Sequence, residues 1–105
     1  MSSAAQVELR GDTLTVSGTI DPLTVLATRK RGETLIRSAT GDLTVNLSAM
    51  ETAHSVVLSL LLCWQRLAGS QGLALSFSGV SDRLNSLAAL SNLDEQLPGF
   101  RSGAA

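Results

Sequence analysis

The chain has 105 residues, of which 44% are apolar and 16% charged, and its formal net charge is -1 at pH 7. This length suits one domain with a real core, and the near-neutral charge excludes the basic footprint that nucleic-acid binding needs. The single cysteine excludes an internal disulfide framework and fits a reducing compartment.

The N-terminal residues carry neither a basic segment nor an apolar one, so the sequence predicts no signal peptide. The longest apolar stretch, residues 56–64, is far shorter than the ~20 residues that span a bilayer. We therefore expect a single cytoplasmic domain over residues 1–105 that does not insert into a membrane. Residues 1–5 and 102–105 are expected to be disordered.

The chain begins with a predicted β-hairpin. Residues 7–10 and 13–17 each alternate apolar and polar side chains, which is typical of half-buried strands. The two-residue turn Gly11-Asp12 between them favours antiparallel pairing of the two strands.

A helix is predicted to follow, with Asp21 as its N-cap and Pro22 as its first residue. Its pattern places Leu23, Leu26 and Lys30 on one stripe, with Val25 beside it. Gly32 interrupts the pattern, and residues 34–36 suit either a last helical turn or a loop packed on the core.

The most apolar helix of the chain follows a third strand. Residues 43–48 alternate as a strand, and a helical crossover between strands implies parallel pairing. The helix is predicted from Val56 to about Ala68, with Ser55 as N-cap and Gly69 as C-cap. Because it is apolar around most of its circumference, it is either buried on several sides or has an outer face meant for another protein.

The remaining elements are a strand over residues 73–78 and a helix capped by Ser81 or Asp82. The apolar stripe of this helix comprises four residues: Leu84, Leu87, Ala88 and Leu90. Leu93, Leu97 and Phe100 are expected to attach the C-terminal segment to the core. The order β-β-α-β-α-β-α predicts an α/β domain whose small mixed sheet has an antiparallel N-terminal hairpin followed by parallel crossovers.

His54 and Ser55 invite comparison with a catalytic base and its nucleophile. Neighbouring residues point about 100° apart around a helix, so the pair is poorly placed for the required hydrogen bond. The chain also has no Gly-x-Ser-x-Gly motif. One His, one Cys and nine scattered carboxylates show no metal-ligand spacing. We predict no catalytic residues, no metal, no cofactor and no small-molecule substrate, and a small hydrolase is the least favoured function.

Other residues of the apolar helix have structural interpretations. Cys63 is interpreted as an inert core residue, and Trp64 as an anchor of either the core or an interface. Ser55, Ser59 and Arg66 fall near one stripe of the helix, because they are spaced by four and seven residues.

Four segments, taken in order, resemble a STAS domain, the family named for sulfate transporters and anti-sigma-factor antagonists: residues 14–21, 43–48, 54–61 and 72–80. In that family a strand ends in Asp-Leu-Ser or a similar motif. A loop then reaches an Asp-Ser/Thr-x-Gly motif that opens the second helix, and the Ser or Thr of this motif is the regulatory position. The resemblance places Asn46-Leu47-Ser48 and Ser55 at these two positions.

This chain departs from the family pattern around Ser55. His54 replaces the family's Asp, and Val56-Val57 replaces its small residues. These departures disfavour phosphorylation of Ser55 and favour a contact role. The alternative that remains is an anti-sigma-factor antagonist controlled by phosphorylation of this serine.

Among STAS proteins, this chain resembles the small cytoplasmic subunit of the Mla phospholipid-transport ABC system of Gram-negative bacteria. The features that carry this resemblance are its short single-domain form and the segment Gly79 to Leu93 before the C-terminus. The resemblance implies a non-enzymatic regulatory subunit that binds the ATPase of the transporter and, indirectly, its membrane permease. Such a subunit is peripheral to the inner membrane and supports the lipid asymmetry of the outer membrane. The residues expected to contact the partner are Thr52, His54, Ser55, Val56, Ser59 and Arg66, with part of the 81–92 helix.

Overall fold

The computed structural model describes residues 4–51, 54–93 and 96–100. Its strands are β1 (Gln6–Arg10), β2 (Thr13–Gly18), β3 (Leu43–Met50) and β4 (Leu75–Ser78). Its helices are α1 (Val25–Ser38), α2 (Ser55–Ser70) and α3 (Asp82–Leu90). The predicted order of elements, β-β-α-β-α-β-α, is confirmed.

The four strands form one mixed sheet in the order β1-β2-β3-β4. β1 and β2 pair antiparallel, from Gln6 with Ser17 to Arg10 with Thr13. β2 with β3, and β3 with β4, pair in parallel. The predicted α/β domain, with an N-terminal hairpin followed by parallel crossovers, is therefore confirmed.

The two faces of the sheet differ in polarity, because successive side chains of a strand point to opposite faces. Alternate residues of each strand are apolar and join the helices in one hydrophobic core. The residues between them are polar and half-buried or exposed: Thr13, Thr15, Ser17, Thr44, Asn46, Ser76 and Ser78. The shortest dimension of the molecule is 20 Å, which matches two layers of about 10 Å each. The helices thus cover one face, and the polar face stays open.

α1 begins later than predicted. Asp21 still organises its start, because its Oδ1 accepts hydrogen bonds from the backbone N–H groups of Leu23 at 2.9 Å and Thr24 at 3.0 Å. Residues 22–24 nevertheless form a turn, and the helix proper starts at Val25. The N-cap of α1 is Thr24, so the predictions of Asp21 as N-cap and Pro22 as first helical residue were both wrong, and Asp21 stabilises the turn before the helix instead.

The second half of α1 runs through Gly32 and residues 34–36 to Ser38. Of the two alternatives for residues 34–36, the last helical turn is therefore correct. Gly32 is buried against α2, where a β-carbon would overlap the Trp64 indole. The glycine that interrupts the helical pattern is thus the point at which the two helices meet.

The start of α2 differs from the prediction by one residue. His54, not Ser55, is the N-cap, because its Nδ1 accepts a hydrogen bond from the backbone N–H of Val56 at 3.2 Å. Ser55 is the first residue of the helix. Its hydroxyl is therefore not needed to satisfy the helix end.

The end of α2 also lies beyond the prediction. The helix passes through Gly69, and Gly72 rather than Gly69 has the left-handed backbone, with φ +75. The N–H of Leu73 then donates to the carbonyl of Ala68 at 2.9 Å. This bond satisfies a carbonyl of the last turn, as is usual after a left-handed glycine.

The apolar circumference of α2 is buried on several sides. α1 and α3 both pack against it, and six of its residues are buried: Val57, Leu58, Leu60, Leu61, Trp64 and Ala68. The exposed large apolar side chains lie elsewhere, namely Leu23 (93% exposed), Leu26 (51%) and Leu90 (82%). Burial of α2 on several sides is therefore confirmed, whereas an outer face of α2 for another protein stays a prediction; Leu90 does not belong to the buried stripe of α3.

The C-terminal segment packs on the end of the sheet. β4 starts at Leu75 rather than residue 73, and Ser81 caps α3 by accepting the N–H of Leu84 at 3.1 Å. The N–H of Phe77 donates to the carbonyl of Pro98 at 2.8 Å, along the outer edge of β4. Leu97 and Phe100 are buried as predicted.

The chain ends lie mostly outside the described ranges. The disorder predicted for residues 1–5 and 102–105 falls there, except at the N-terminal side, where Ala4 forms an isolated bridge with Thr19 and Ala5 packs against the core. The described helices include none that is long and apolar enough to cross a bilayer.

Candidate functional site

The N-terminal end of α2 presents His54 and Ser55 to solvent, and both residues are exposed. The imidazole Nδ1 is occupied as the acceptor for the N–H of Val56. No hydrogen bond joins the two side chains within the described ranges, so the arrangement is not that of a nucleophile and its base. Thr52, the first residue expected at this site, lies outside the described residues.

Three of the expected contact residues lie on one exposed stripe of α2. Ser55, Ser59 and Arg66 are all exposed, and their spacing places them within about 40° of one another around the helix. Cys63 lies beside this stripe and is half-buried, which is more open than expected for an inert core residue. The stripe offers two small hydroxyls and one guanidinium to a partner.

A groove runs beside this stripe, between α1 and α2. Its volume is about 150 Å³, and it is lined by Val25, Leu26, Arg29, Val56, Ser59, Leu60 and Cys63. Most of these side chains are apolar, and Val56 and Ser59 belong to both the groove and the α2 surface. The hydroxyl stripe and the groove therefore form one continuous surface, which we call the α2 mouth.

The contribution of α1 to the α2 mouth was missed in the sequence. Leu26 is half exposed at the rim of the groove, on the stripe that it shares with Leu23 and Lys30. A signal was present, because Lys30 shares that stripe and is itself exposed. A lysine among leucines at helical spacing indicates the solvent side of a helix.

Trp64 takes no part in the α2 mouth. Its side chain is fully buried, and its Nε1–H donates to the carbonyl of Arg29 at 3.0 Å. Of its two interpretations, the core anchor is therefore the correct one.

The segment Asn46-Leu47-Ser48, which resembles the strand motif of the family, forms hydrogen bonds between its own residues. Asn46 Oδ1 accepts hydrogen bonds from the backbone N–H of Ser48 at 3.0 Å and from its hydroxyl at 2.7 Å. Gly79, with φ +68, lies against both residues at the end of β4. These side chains brace the ends of two parallel strands.

Within the described ranges, the His, Cys, Asp and Glu side chains form no group of three or more that could hold a metal ion. The α2 mouth contains one thiol, two hydroxyls and the guanidinium groups of Arg29 and Arg66, but no carboxylate. Its chemistry is that of a contact surface, with small polar groups around an apolar groove.

Comparison with known proteins identifies a family and a fold. Residues 3–99 match the family model described as Mlab, STAS domain. Among solved structures, the anti-sigma factor antagonist SpoIIAA in its unphosphorylated form aligns with a TM-score of 0.71 and 19% identity, over 91% of this chain and 87% of that one. A serine-to-glutamate variant of RsbS from Moorella thermoacetica aligns with a TM-score of 0.67 and 21% identity, over 92% and 85%. At these identities the likeness shows the fold alone. No curated protein matches the chain.

Proposed function

The chain belongs to the STAS family, in the branch described as Mlab, and on this premise we propose that it is a non-enzymatic regulatory subunit of an ABC transporter that moves phospholipids. It docks on the cytoplasmic ATPase of the transporter and supports its assembly and activity. It reaches the membrane permease only through that ATPase, so it is peripheral to the inner membrane. Its role in the cell is to support the lipid asymmetry of the outer membrane.

The observation that carries this proposal is the continuity of the α2 mouth. Ser55 and Ser59 are small and uncharged, so a partner approaches the helix closely without leaving a buried charge unpaired. The groove beside them receives an apolar side chain of the ATPase, and Arg66 supplies a charged contact at the rim. An apolar centre with a polar rim is the usual composition of a protein interface.

The decisive experiment is co-purification of the ATPase with the tagged chain. In the Ser55→Glu variant a carboxylate enters the desolvated contact, and we expect the ATPase to be lost from the eluate. The matched control is Ser76→Glu, which makes the same chemical change at an exposed position of the open sheet face. The control variant is expected to retain the ATPase.

Two outcomes speak against the proposal. If Ser55→Glu retains the ATPase at the wild-type level, the α2 mouth is not part of the contact. If the wild-type chain retains no ATPase, the ATPase is not its partner. Circular dichroism of the wild-type chain and of both variants shows that neither result reflects unfolding.

A second function is favoured by one observation, the exposed hydroxyl of Ser55 at the first residue of α2. A phosphate at this position is stabilised by the helix dipole and by unpaired backbone N–H groups. SpoIIAA, which shares the fold, is an anti-sigma factor antagonist whose description specifies an unphosphorylated form. The alternative is therefore an anti-sigma-factor antagonist controlled by phosphorylation of Ser55.

Intact-mass measurement separates the two functions. The chain is incubated with candidate serine kinases and ATP, beside the Ser55→Ala variant as control. One added phosphate on the wild-type chain, absent from the variant, supports the antagonist. An unchanged mass, together with retention of the ATPase, supports the transporter subunit.

A further inference from the structure

The C-terminal segment places a short turn against the outer edge of β4. Leu97 to Phe100 form this turn, which is closed by a hydrogen bond from the N–H of Phe100 to the carbonyl of Leu97 at 3.0 Å. Pro98 and Gly99 are its two central residues, and Gly99 has a φ of +106. Proline followed by a residue with positive φ is typical of a type II turn. We call residues 97–100 the edge turn.

Three contacts hold the edge turn on β4. The N–H of Phe77 donates to the carbonyl of Pro98 at 2.8 Å. Gly99 lies so close to the backbone of Phe77 that a β-carbon would overlap the Phe77 carbonyl oxygen. The ring of Phe100 meets the ring of Phe77 edge-on, with centroids 5.7 Å apart, and Phe100 and Leu97 are both buried. The edge turn therefore occupies the side of β4 on which another strand would pair.

The two outer strands of the sheet differ in charge. β1 carries Glu8 and Arg10, whose side chains are 58% and 87% exposed and form an ion pair of 3.6 Å. Charged side chains on an edge strand oppose its pairing with another chain. Around β4, residues 67–81 contain no charged side chain. Residues 73–78 are also free of proline and glycine, which is the composition of segments that pair with copies of themselves.

A second copy of the chain is the occupant that this composition favours. Two identical uncharged edges pair without bringing like charges into contact, whereas an acidic or basic segment finds no opposite charge on residues 67–81. Displacement of the edge turn also uncovers the ring of Phe77 and adds an apolar surface to the unpaired edge. Because each copy contributes one such edge, the expected product is a dimer.

We propose that the edge turn is an intramolecular guard that keeps the domain monomeric, and that its displacement lets β4 pair antiparallel with β4 of a second copy. On displacement, the N–H of Phe77 gives up its bond with Pro98 and becomes available to the second copy. The proposal concerns the edge of the sheet rather than the α2 mouth. It is therefore independent of the partner that docks on the α2 mouth.

The test compares the sedimentation of the full wild-type chain and its Gly99→Ala variant from about 1 μM to 1 mM, the range in which unpaired strand edges associate. The new β-carbon overlaps the Phe77 carbonyl and adopts a positive φ, so it displaces the edge turn. We expect the wild-type chain to stay monomeric and the variant to dimerise as its concentration rises. The matched control is Gly72→Ala, where φ is +75 but nothing lies within 4 Å of the new β-carbon. This control is expected to stay monomeric.

Two further measurements locate the effect. Amide hydrogen exchange at Phe77 is expected to be faster in monomeric Gly99→Ala than in the wild-type chain. Ser76→Lys, added to Gly99→Ala at an exposed position of β4, places two lysines opposite or diagonal to one another across the pair. The double variant is therefore expected to be monomeric again. If Gly99→Ala does not fold or keeps Phe77 protected, Phe100→Ser, which removes the ring contact, takes its place in the same comparison.

Four results would overturn the proposal. The first is a wild-type chain that dimerises as strongly as the variant. The second is fast exchange at Phe77 in a variant that stays monomeric at 1 mM, because the edge turn then guards nothing. The third is a dimer that Ser76→Lys leaves intact, which would place the pairing elsewhere. The fourth is full protection of Phe77 in both Gly99→Ala and Phe100→Ser, because these contacts would then not hold the edge turn.

Discussion

The indole of Trp64 occupies the space in which a β-carbon of residue 32 would stand, and residue 32 is a glycine. The same indole donates its Nε1–H to the carbonyl of Arg29 at 3.0 Å. One side chain of α2 therefore binds the α1 backbone through both packing and a hydrogen bond. The close approach of the two helices sets the width of the groove at the α2 mouth.

Replacement of Gly32 by alanine is expected to destabilise the domain by about 1–3 kcal/mol, because the added methyl group forces the indole out of place. Helix propensity acts in the opposite direction, since alanine is favoured over glycine by about 1 kcal/mol. Urea denaturation of the variant measures the net effect. The control is Gly69→Ala in α2, where nothing lies within 4 Å of the new β-carbon. That variant is expected to gain stability, and equal gains at both positions would contradict the packing of Trp64.

The fluorescence of Trp64 provides a direct readout, because it is the only tryptophan of the chain. Its side chain is 0% exposed, so we expect blue-shifted emission and weak quenching by acrylamide in the native state. Both properties should be lost in a single transition in urea. Strong quenching of the native protein would show that the indole reaches solvent.

Replacement of His54 by alanine removes the N-cap of α2 and is expected to cost about 1 kcal/mol of stability. The control is His54→Ser, because a serine hydroxyl at the same position accepts the N–H of a residue in the first turn. Thermal unfolding should therefore rank wild type and His54→Ser above His54→Ala. Equal melting temperatures for all three proteins would mean that the imidazole does not cap the helix.

Gly79 and Gly11 both have positive φ, at +68 and +61, but their surroundings differ. A β-carbon at Gly79 would lie 2.7 Å from Cβ of Ser48 and 3.0 Å from Oδ1 of Asn46, whereas one at Gly11 meets nothing within 4 Å. Both alanine variants lose about 1–2 kcal/mol to the left-handed backbone. Only Gly79→Ala adds a steric cost of about 1–3 kcal/mol. Equal losses in urea denaturation would show that the strand ends have room to adjust.

The strands were predictable from the sequence, because apolar and polar residues alternate in each and the sheet is covered on one face only. Helix ends were less predictable. An imidazole nitrogen caps α2 although histidine is not among the preferred N-cap residues, and a turn separates Asp21 from α1. Such ends depend on the local geometry of one side chain, which composition does not specify.

The candidate site was predictable in part. The spacing of Ser55, Ser59 and Arg66 was sufficient to place them on one stripe. The groove beside it was not predictable, because it depends on how closely α1 approaches α2, and that distance depends on the contact of Gly32 with Trp64. Contacts between residues distant in the chain leave no local pattern in the sequence.

The open polar face of the sheet has a practical consequence. Ser76 and Ser78 project from it, on the side of the molecule away from the α2 mouth. A dye or a surface tether attached at Ser76→Cys leaves the α2 mouth accessible. The domain can therefore be immobilised or tracked through its open sheet face while the α2 mouth binds a partner.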